Sequence, residues 1–231
     1  NGVNQYMKKV ADYSDNGLGD NKTFTFSCWV KAHADGTNLM IYNSVNSSAA
    51  DRMHIYRNVN NVLQLAGFQS SGAAAFAMVG TNTITAAKGW MHVFACVNVA
   101  DAAQTKIYIN GILDATNAQT RVDVGLDMAG VNHAYWIGIY QGSLNPWNGA
   151  MSEFWFNDTY LDAPGSFITA NGCPVDLLSD GTGPGQTPVF YFRGSNNLFN
   201  VVAGSAAAEG NWGITNGPLT FTNTRPRVGA L

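Results

Sequence analysis

The sequence predicts an all-β chain folded as an antiparallel two-sheet sandwich, and three observations carry that reading. Strand patterns recur along 231 residues with turn residues between them, helical periodicity is nearly absent, and residues 89–114 spell out a β-hairpin. In that hairpin, GWMHVFACVNVADAAQTKIYINGILD, a first strand runs from Trp90 to Val99 and a polar bend follows at Asp101 to Gln104. A second strand runs from Lys106 to Ile109, and Asn110-Gly111 closes a tight turn. Both central positions of a type I′ turn need positive φ, which Asn and Gly tolerate best.

The remaining elements follow the same logic. Thr23 to Lys31 alternates, with Phe24, Phe26, Cys28 and Val30 on one face and Thr25, Ser27 and Trp29 on the other, the pattern of a half-buried strand. Shorter strands are expected at Met40 to Asn43, Met53 to Arg57, Val62 to Phe68 and Ala75 to Val79. Tyr135 to Tyr140 and Ala150 to Asn157 come after the hairpin, and Gly138 marks a bend or a close backbone approach in the first of them. One short peripheral helical turn is expected at Ala163 to Ala170, with Asp162 as cap and Pro164 in its first turn. Asn171 to Pro188 is a Gly/Pro/Asp-rich connector that returns across the sandwich, and Val189 to Phe192 is again strand.

Residues 1–193 are thus read as one sandwich domain, large enough for a substantial core at 46% hydrophobic content. Residues 194–231, rich in Asn, Gly and Ala, form a C-terminal extension that packs on the same domain or on a neighbouring subunit, with Trp212, Leu219 and Phe221 as isolated anchors. Only 12% of residues are charged, about half the usual share. A net charge of −3 with no Lys/Arg cluster leaves no footprint for a phosphate backbone, so nucleic acid is not an expected partner. No window reads as a membrane span. Cys28, Cys96 and Cys173 fit no metal spacing; Cys28 and Cys96 lie in apolar strands and read as buried thiols rather than a disulfide. The chain begins at Asn1 without a Met, so it is read as processed, truncated or one domain of a longer product.

The W-x-H-V and Y-I-N-G phrases of the hairpin resemble the central hairpin of laminin-G, pentraxin and concanavalin A-like jelly rolls. Asn1 to Lys31, with N-G-V-N-Q-Y before F-T-F-S-C-W-V-K, is similar to the opening of a laminin-G-like domain. Gly149 to Asp162 is similar to the family's closing strand. The resemblance implies a concanavalin A-like jelly roll, a fold that hosts both lectins and glycanases. The P-V-F-Y-F and E-G-N-W-G-I-T-N-G-P-L-T segments also resemble laminin-G-like proteins of tailed bacteriophages.

Glycoside hydrolysis needs two carboxylates across a cleft. The chain holds two glutamates, Glu153 and Glu209, and lacks the E-x-D-x-x-E strand of related glucanases. Glu153 is expected to make a structural hydrogen bond. His92 shares a strand face with Trp90, Phe94 and Cys96 and reads as a satisfied sheet-face histidine, while His33, His54 and His133 are scattered without metal-ligand spacing. The chain is therefore read as no enzyme.

The family resemblance raises Ca²⁺ held by loop oxygens, for which Asp35, Asp101, Asp123 and Asp127 are the candidates; none forms a dense cluster, and for each the solvated-turn reading is preferred. For sugar, the best cluster is Tyr140, Gln141, Asn145, Trp147 and Asn148, an aromatic with amide neighbours. Trp147 is either a stacking face or a plug at the end of the core. Three functions remain: a non-enzymatic bacteriophage virion subunit, capsid decoration or tail-associated; a carbohydrate-binding module of a fibre or secreted protein; and a glycan-degrading enzyme. The first is preferred, on the low charge, extended tail and phage-like ending. Its partners would be other virion subunits, as a homo-oligomer or on a capsid or tail protein, with cell-surface glycan as a further ligand.

Overall fold

Two antiparallel sheets stack face to face in a computed structural model that describes residues 6–10, 21–46, 51–116, 120–129, 133–141, 144–192 and 213–215. The strands are β1 (Tyr6–Val10), β2 (Thr23–Ala32), β3 (Leu39–Val45), β4 (Asp51–Arg57), β5 (Val62–Phe68), β6 (Ala74–Thr83) and β7 (Trp90–Asn98). They continue as β8 (Lys106–Ile109), β9 (Ile112–Thr116), β10 (Thr120–Arg121), β11 (Ala134–Ile137), β12 (Gly149–Asn157), β13 (Phe190–Phe192) and β14 (Gly213–Thr215). The eight-stranded sheet runs β10-β6-β5-β4-β3-β11-β1-β14 and the six-stranded sheet β13-β12-β2-β7-β8-β9. This is the concanavalin A-like jelly-roll sandwich that the strand pattern and the resemblance imply. The Asn110-Gly111 turn joins β8 to β9 with φ of 54° and 78°, the left-handed pair that the dipeptide signals.

The core lies between the sheets. Phe24, Phe26, Cys28 and Val30 all enter it, each fully buried, and meet Tyr42, Phe76, Phe154, Phe156 and Phe190. Phe26 packs edge-on against Phe154 with ring centroids 5.4 Å apart, and Phe24 stacks on Phe156 at 5.8 Å.

The other face of β2 departs from the half-buried expectation. Thr25, Ser27 and Trp29 are buried at 0–1% exposure as well. The reason is a second apolar layer. Residues 158–188 cross the outer face of the six-stranded sheet, where Phe167 and Leu177 pack on Phe94, Cys96, Trp155 and Tyr191. Polar groups on that face are used as anchors: Thr23 and Thr25 hydroxyls donate to the carbonyls of Asp158 and Thr159 at 2.7 Å, and Trp155 Nε1 donates to Gly181 O at 2.9 Å. Alternation in β2 therefore separates apolar from mixed contacts rather than core from water.

The helical turn expected at residues 163–170 shortens to one 3₁₀ turn, Pro164–Ser166. Asp162 does not cap it. Its carboxylate is held instead by the Lys106 ammonium and by the Tyr108 hydroxyl, the latter at 2.7 Å, so the acid ties the covering segment to β8. Burial alone would raise the Asp162 pKa, but the bonds from Lys106 and Tyr108 outweigh it and hold the carboxyl below its ordinary range.

β14 pairs with β1, Tyr6 opposite Thr215, so part of the C-terminal extension returns to an edge of the same eight-stranded sheet. Apart from Gly213–Thr215, the residues of 194–231, among them Trp212, Leu219, Phe221 and Glu209, lie outside the described residues. The three cysteines are free thiols, Cys28 and Cys96 buried. Burial raises both their pKa values, that of Cys96 to about 12.

Candidate site between two loops at one end of the sandwich

Strand pairing brings two distant loops together. β12 starts beside the end of β2, with Gly149 opposite Ala32, and β11 lies beside β3, so the β2–β3 and β11–β12 loops meet at one end of the sandwich. Backbone bonds zip them: His33 N donates to Asn148 O at 2.8 Å and Met40 N to Asn145 O at 2.9 Å. Between the loops lies an open depression of ≈ 330 Å³. Ala34, Leu39 and Pro146 supply its apolar lining; Thr37, Asn38, Asn145 and Asn148 supply its polar lining.

Each loop is clamped from behind. Arg57, the last residue of β4 and fully buried, donates to the carbonyls of Ala34 (2.7 Å), Thr37 (3.0 Å) and Ile84 (3.1 Å) and to Asp35 Oδ1 (3.3 Å). Burial lowers its pKa, with Asp35 opposing that shift, and the guanidinium stays charged. Gly36, with φ of 71°, makes the turn that lets two carbonyls of this loop face one guanidinium, and its N–H donates to Asn61 Oδ1 at 2.9 Å. On the other side, Trp147 N donates to Gly138 O at 2.7 Å and Gly138 N to Ile41 O at 3.0 Å. Gly138 thus ends β11 at the close backbone approach that its position suggested. Gly149 is required sterically: a Cβ there would stand 1.9 Å from Lys31 O.

The five sugar-site candidates divide. Asn145 and Asn148 line the depression. Trp147 does not; it is 3% exposed and its ring belongs to the core between the sheets, so it is the plug and offers no stacking face. Tyr140 and Gln141 sit elsewhere, over the outer face of the eight-stranded sheet. The Tyr140 ring meets His54 edge-on at 5.5 Å, and Gln141 N donates to Asn43 Oδ1 at 3.4 Å. Thr37, Asn38 and Arg57 were missed by sequence reading. Asp35 was read as a loop residue that stabilises a turn, but nothing local in the chain places that loop beside residue 148.

The four candidate calcium ligands are dispersed and engaged. Asp35 accepts from Arg57 and from Ala86 N at 2.9 Å, and Asp101 accepts from Ala103 N at 2.9 Å, capping a 3₁₀ turn. Asp123 pairs with Lys22 at 2.7 Å, and Asp127, 7% exposed, pairs with Arg52 at 2.5 Å. Among the described residues no group of three or more His, Cys, Asp or Glu side chains converges as a metal would need. The candidate residues therefore do not fit a calcium centre.

Two residues tempting for catalysis are built into structure. Glu153 occupies the bulge of β12, where pairing with β2 shifts register between Ser152 and Trp155; its φ is 51°, and its carboxylate accepts from the Tyr191 hydroxyl. His92 is fully buried between Trp29 and Phe167, with Nε2 2.9 Å from Ser27 Oγ, and burial lowers its pKa to about 3.

Comparison with known proteins agrees with the fold. No curated protein sequence matches the chain. A proposed carbohydrate-binding protein from Bacteroides ovatus superposes with a TM-score of 0.60 at 16% identity, covering 96% of this chain and 59% of that one. This chain therefore spans little more than half the length of that protein. The heptameric SAP-like pentraxin of Limulus polyphemus gives a TM-score of 0.56 at 14% identity, covering 96% and 90% of the two chains. At these identities the likeness is one of fold. The sequence profile of the concanavalin A-like lectin/glucanases superfamily matches residues 2–164, and the chain belongs to that superfamily.

Proposed function

We propose that this chain is a non-enzymatic carbohydrate-binding module whose combining site is the depression between the β2–β3 and β11–β12 loops. One observation carries the reading. Thr37, Asn38, Asn145 and Asn148 surround an apolar patch, and none of their side chains makes a hydrogen bond within the described residues, whereas most polar side chains nearby are engaged. Unspent amides beside apolar surface, on loops fixed from behind, are what a neutral polyol needs: directed donors and acceptors plus a surface for its C–H groups. Because Arg57 and the plug at Trp147 hold the loops, little ordering entropy is lost on binding. Superposition on the Bacteroides protein supports this reading at the level of fold.

The virion-subunit reading rests on the low charge, the extended tail and the phage-like ending, about half of which lies outside the described residues, and nothing in the described fold favours it over glycan binding. Glycan cleavage is disfavoured by the engagement of Glu153 with Tyr191.

The test is a broad glycan panel with the full chain and with an Asn38→Ala/Asn148→Ala double variant. Binding that the double variant loses at unchanged melting temperature is expected. A panel without any binder, or binding that survives the double substitution, rejects the site.

A further inference from the structure

The depression also specifies what kind of sugar it takes. Among the described residues its lining carries no charged side chain. Arg57, the cation that clamps the loop from behind, is fully buried, and its two terminal nitrogens are bonded to Ala34 O, Thr37 O, Ile84 O and Asp35. An anionic sugar would find no counter-charge there and would meet the half-exposed Asp35 carboxylate at the edge of the same loop. The lining also pairs two chemistries at short range. Carboxamides from Asn38, Asn145 and Asn148 each present a donor and an acceptor, and beside them Ala34, Leu39 and Pro146 present only carbon.

Building on the carbohydrate-binding reading, we infer that this site selects a neutral acetamido sugar, one terminal unit at a time. An acetamido group matches both halves of the lining. Its N–H and C=O complement a side-chain carboxamide, which is the same functional group reversed, and its methyl covers the apolar floor. A plain hexose supplies hydroxyls for the amides and leaves the floor wet; a free amino sugar brings neither a carbonyl for the amides nor a methyl for the floor. The volume of ≈ 330 Å³ lies at the lower end of the range for ligand pockets, about 300–1,000 Å³, which suits a single unit rather than an extended chain. Without an aromatic platform among the described lining residues, recognition falls on the acetamido group itself.

The experiment is a chemical-shift titration of the full chain with N-acetylglucosamine, glucose, glucosamine and N-acetylneuraminic acid. The four probes separate the acetamido group from charge of either sign. Expected is at least tenfold tighter binding of N-acetylglucosamine than of the other three, with shifts at the amides of residues 34–39, 145, 147 and 148. Asn148→Ala, at an exposed position, should weaken it at least tenfold. Equal affinity for glucose, or tighter binding of the acidic sugar, would overturn the acetamido inference while leaving carbohydrate binding in place. Failure of all four sugars together with an empty glycan panel would overturn both.

Discussion

The carboxylate of Asp114 on β9 accepts from Thr81 of β6 twice, from its backbone N–H at 3.0 Å and from its hydroxyl at 2.7 Å. Asn82 adds its own N–H at 2.8 Å and its side-chain amide at 2.7 Å. Since β9 is the edge of the six-stranded sheet and β6 lies near an edge of the other, this one acid closes an open side of the sandwich. Gly80 makes room for it: a Cβ there would lie 2.3 Å from Asp114 Oδ2.

Asp114→Ala leaves four donors without their acceptor, but at a partly exposed site water replaces much of what is lost. The expected cost is about 1–3 kcal/mol, at the scale of hydrogen bonds to a charged group. Gly80→Ala should produce a comparable loss by displacing the same carboxylate. Urea melts of the two single variants and the double variant check the coupling; strictly additive losses would show that Gly80 does not act through Asp114.

Phe26→Ala opens a cavity where β2 faces Phe154 in the centre of the core. The expected destabilisation is about 3–5 kcal/mol. A shift under about 1 kcal/mol in a urea melt would mean that the neighbouring rings collapse into the space, at odds with the usual partial relaxation of a packed core.

How far these features could be read in advance depends on range along the chain. The hairpin, the inward face of β2 and the fully buried Phe24 and Phe26 follow from residues within one strand of each other. A connector returning across the sandwich was legible in its Gly, Pro and Asp residues, but the burial of Thr25 was not, because Thr159 and Leu161 bond it from more than a hundred positions away and alternation records only polarity. Asp162 shows the same limit: beside Pro164 it reads as a helix cap, yet Lys106 and Tyr108 claim its carboxylate. At the site, Asn145 and Asn148 were legible as loop amides. The aromatic beside them was misleading, because a tryptophan between two asparagines has the same local sequence whether it faces water or plugs a core. Arg57 gave no signal at all, since its partners are mostly backbone carbonyls.

His92 makes folding pH-dependent. Its folded pKa, about 3, lies below the unfolded value of about 6.5, so the unfolded chain binds the extra proton. The stabilisation is fully present above about pH 6.5 and is lost as pH falls toward 3, amounting to something on the order of 5 kcal/mol across that window. The His92 ring signals should not titrate between pH 8 and 4 in the folded protein. His92→Gln should flatten the pH dependence of stability over the same range; an unchanged slope would assign it to other groups.

Asp162 acts at lower pH. Its folded pKa is depressed, so its contribution is present above the unfolded value, about 4, and disappears as pH falls through the folded one. Asp162→Asn should lose stability at pH 7 and converge on the parent protein once pH has fallen below the depressed folded pKa. Proteolysis should then cut the variant within 158–188 at neutral pH, because the carboxylate is the tie between that segment and β8. Resistance equal to that of the parent would show that Phe167 and Leu177 hold the segment without it.

Arg57 links stability to the site. Arg57→Lys keeps the charge, but an ammonium with three donors on a flexible stem cannot reproduce a planar fork that reaches the carbonyls of Ala34, Thr37 and Ile84 together. The expected loss is about 1–3 kcal/mol of global stability, the penalty for leaving part of such a network unsatisfied. The larger effect should be local: amide exchange at residues 34–38 should accelerate more than in β2 or β7, and affinity for sugar should fall about tenfold, because the loop must then be ordered on binding. Variants of the lining residues remove contacts at unchanged loop order, whereas this one removes order at unchanged contacts. If Arg57→Lys binds sugar as tightly as the parent while exchange at residues 34–38 rises, preorganisation of that loop contributes nothing to recognition.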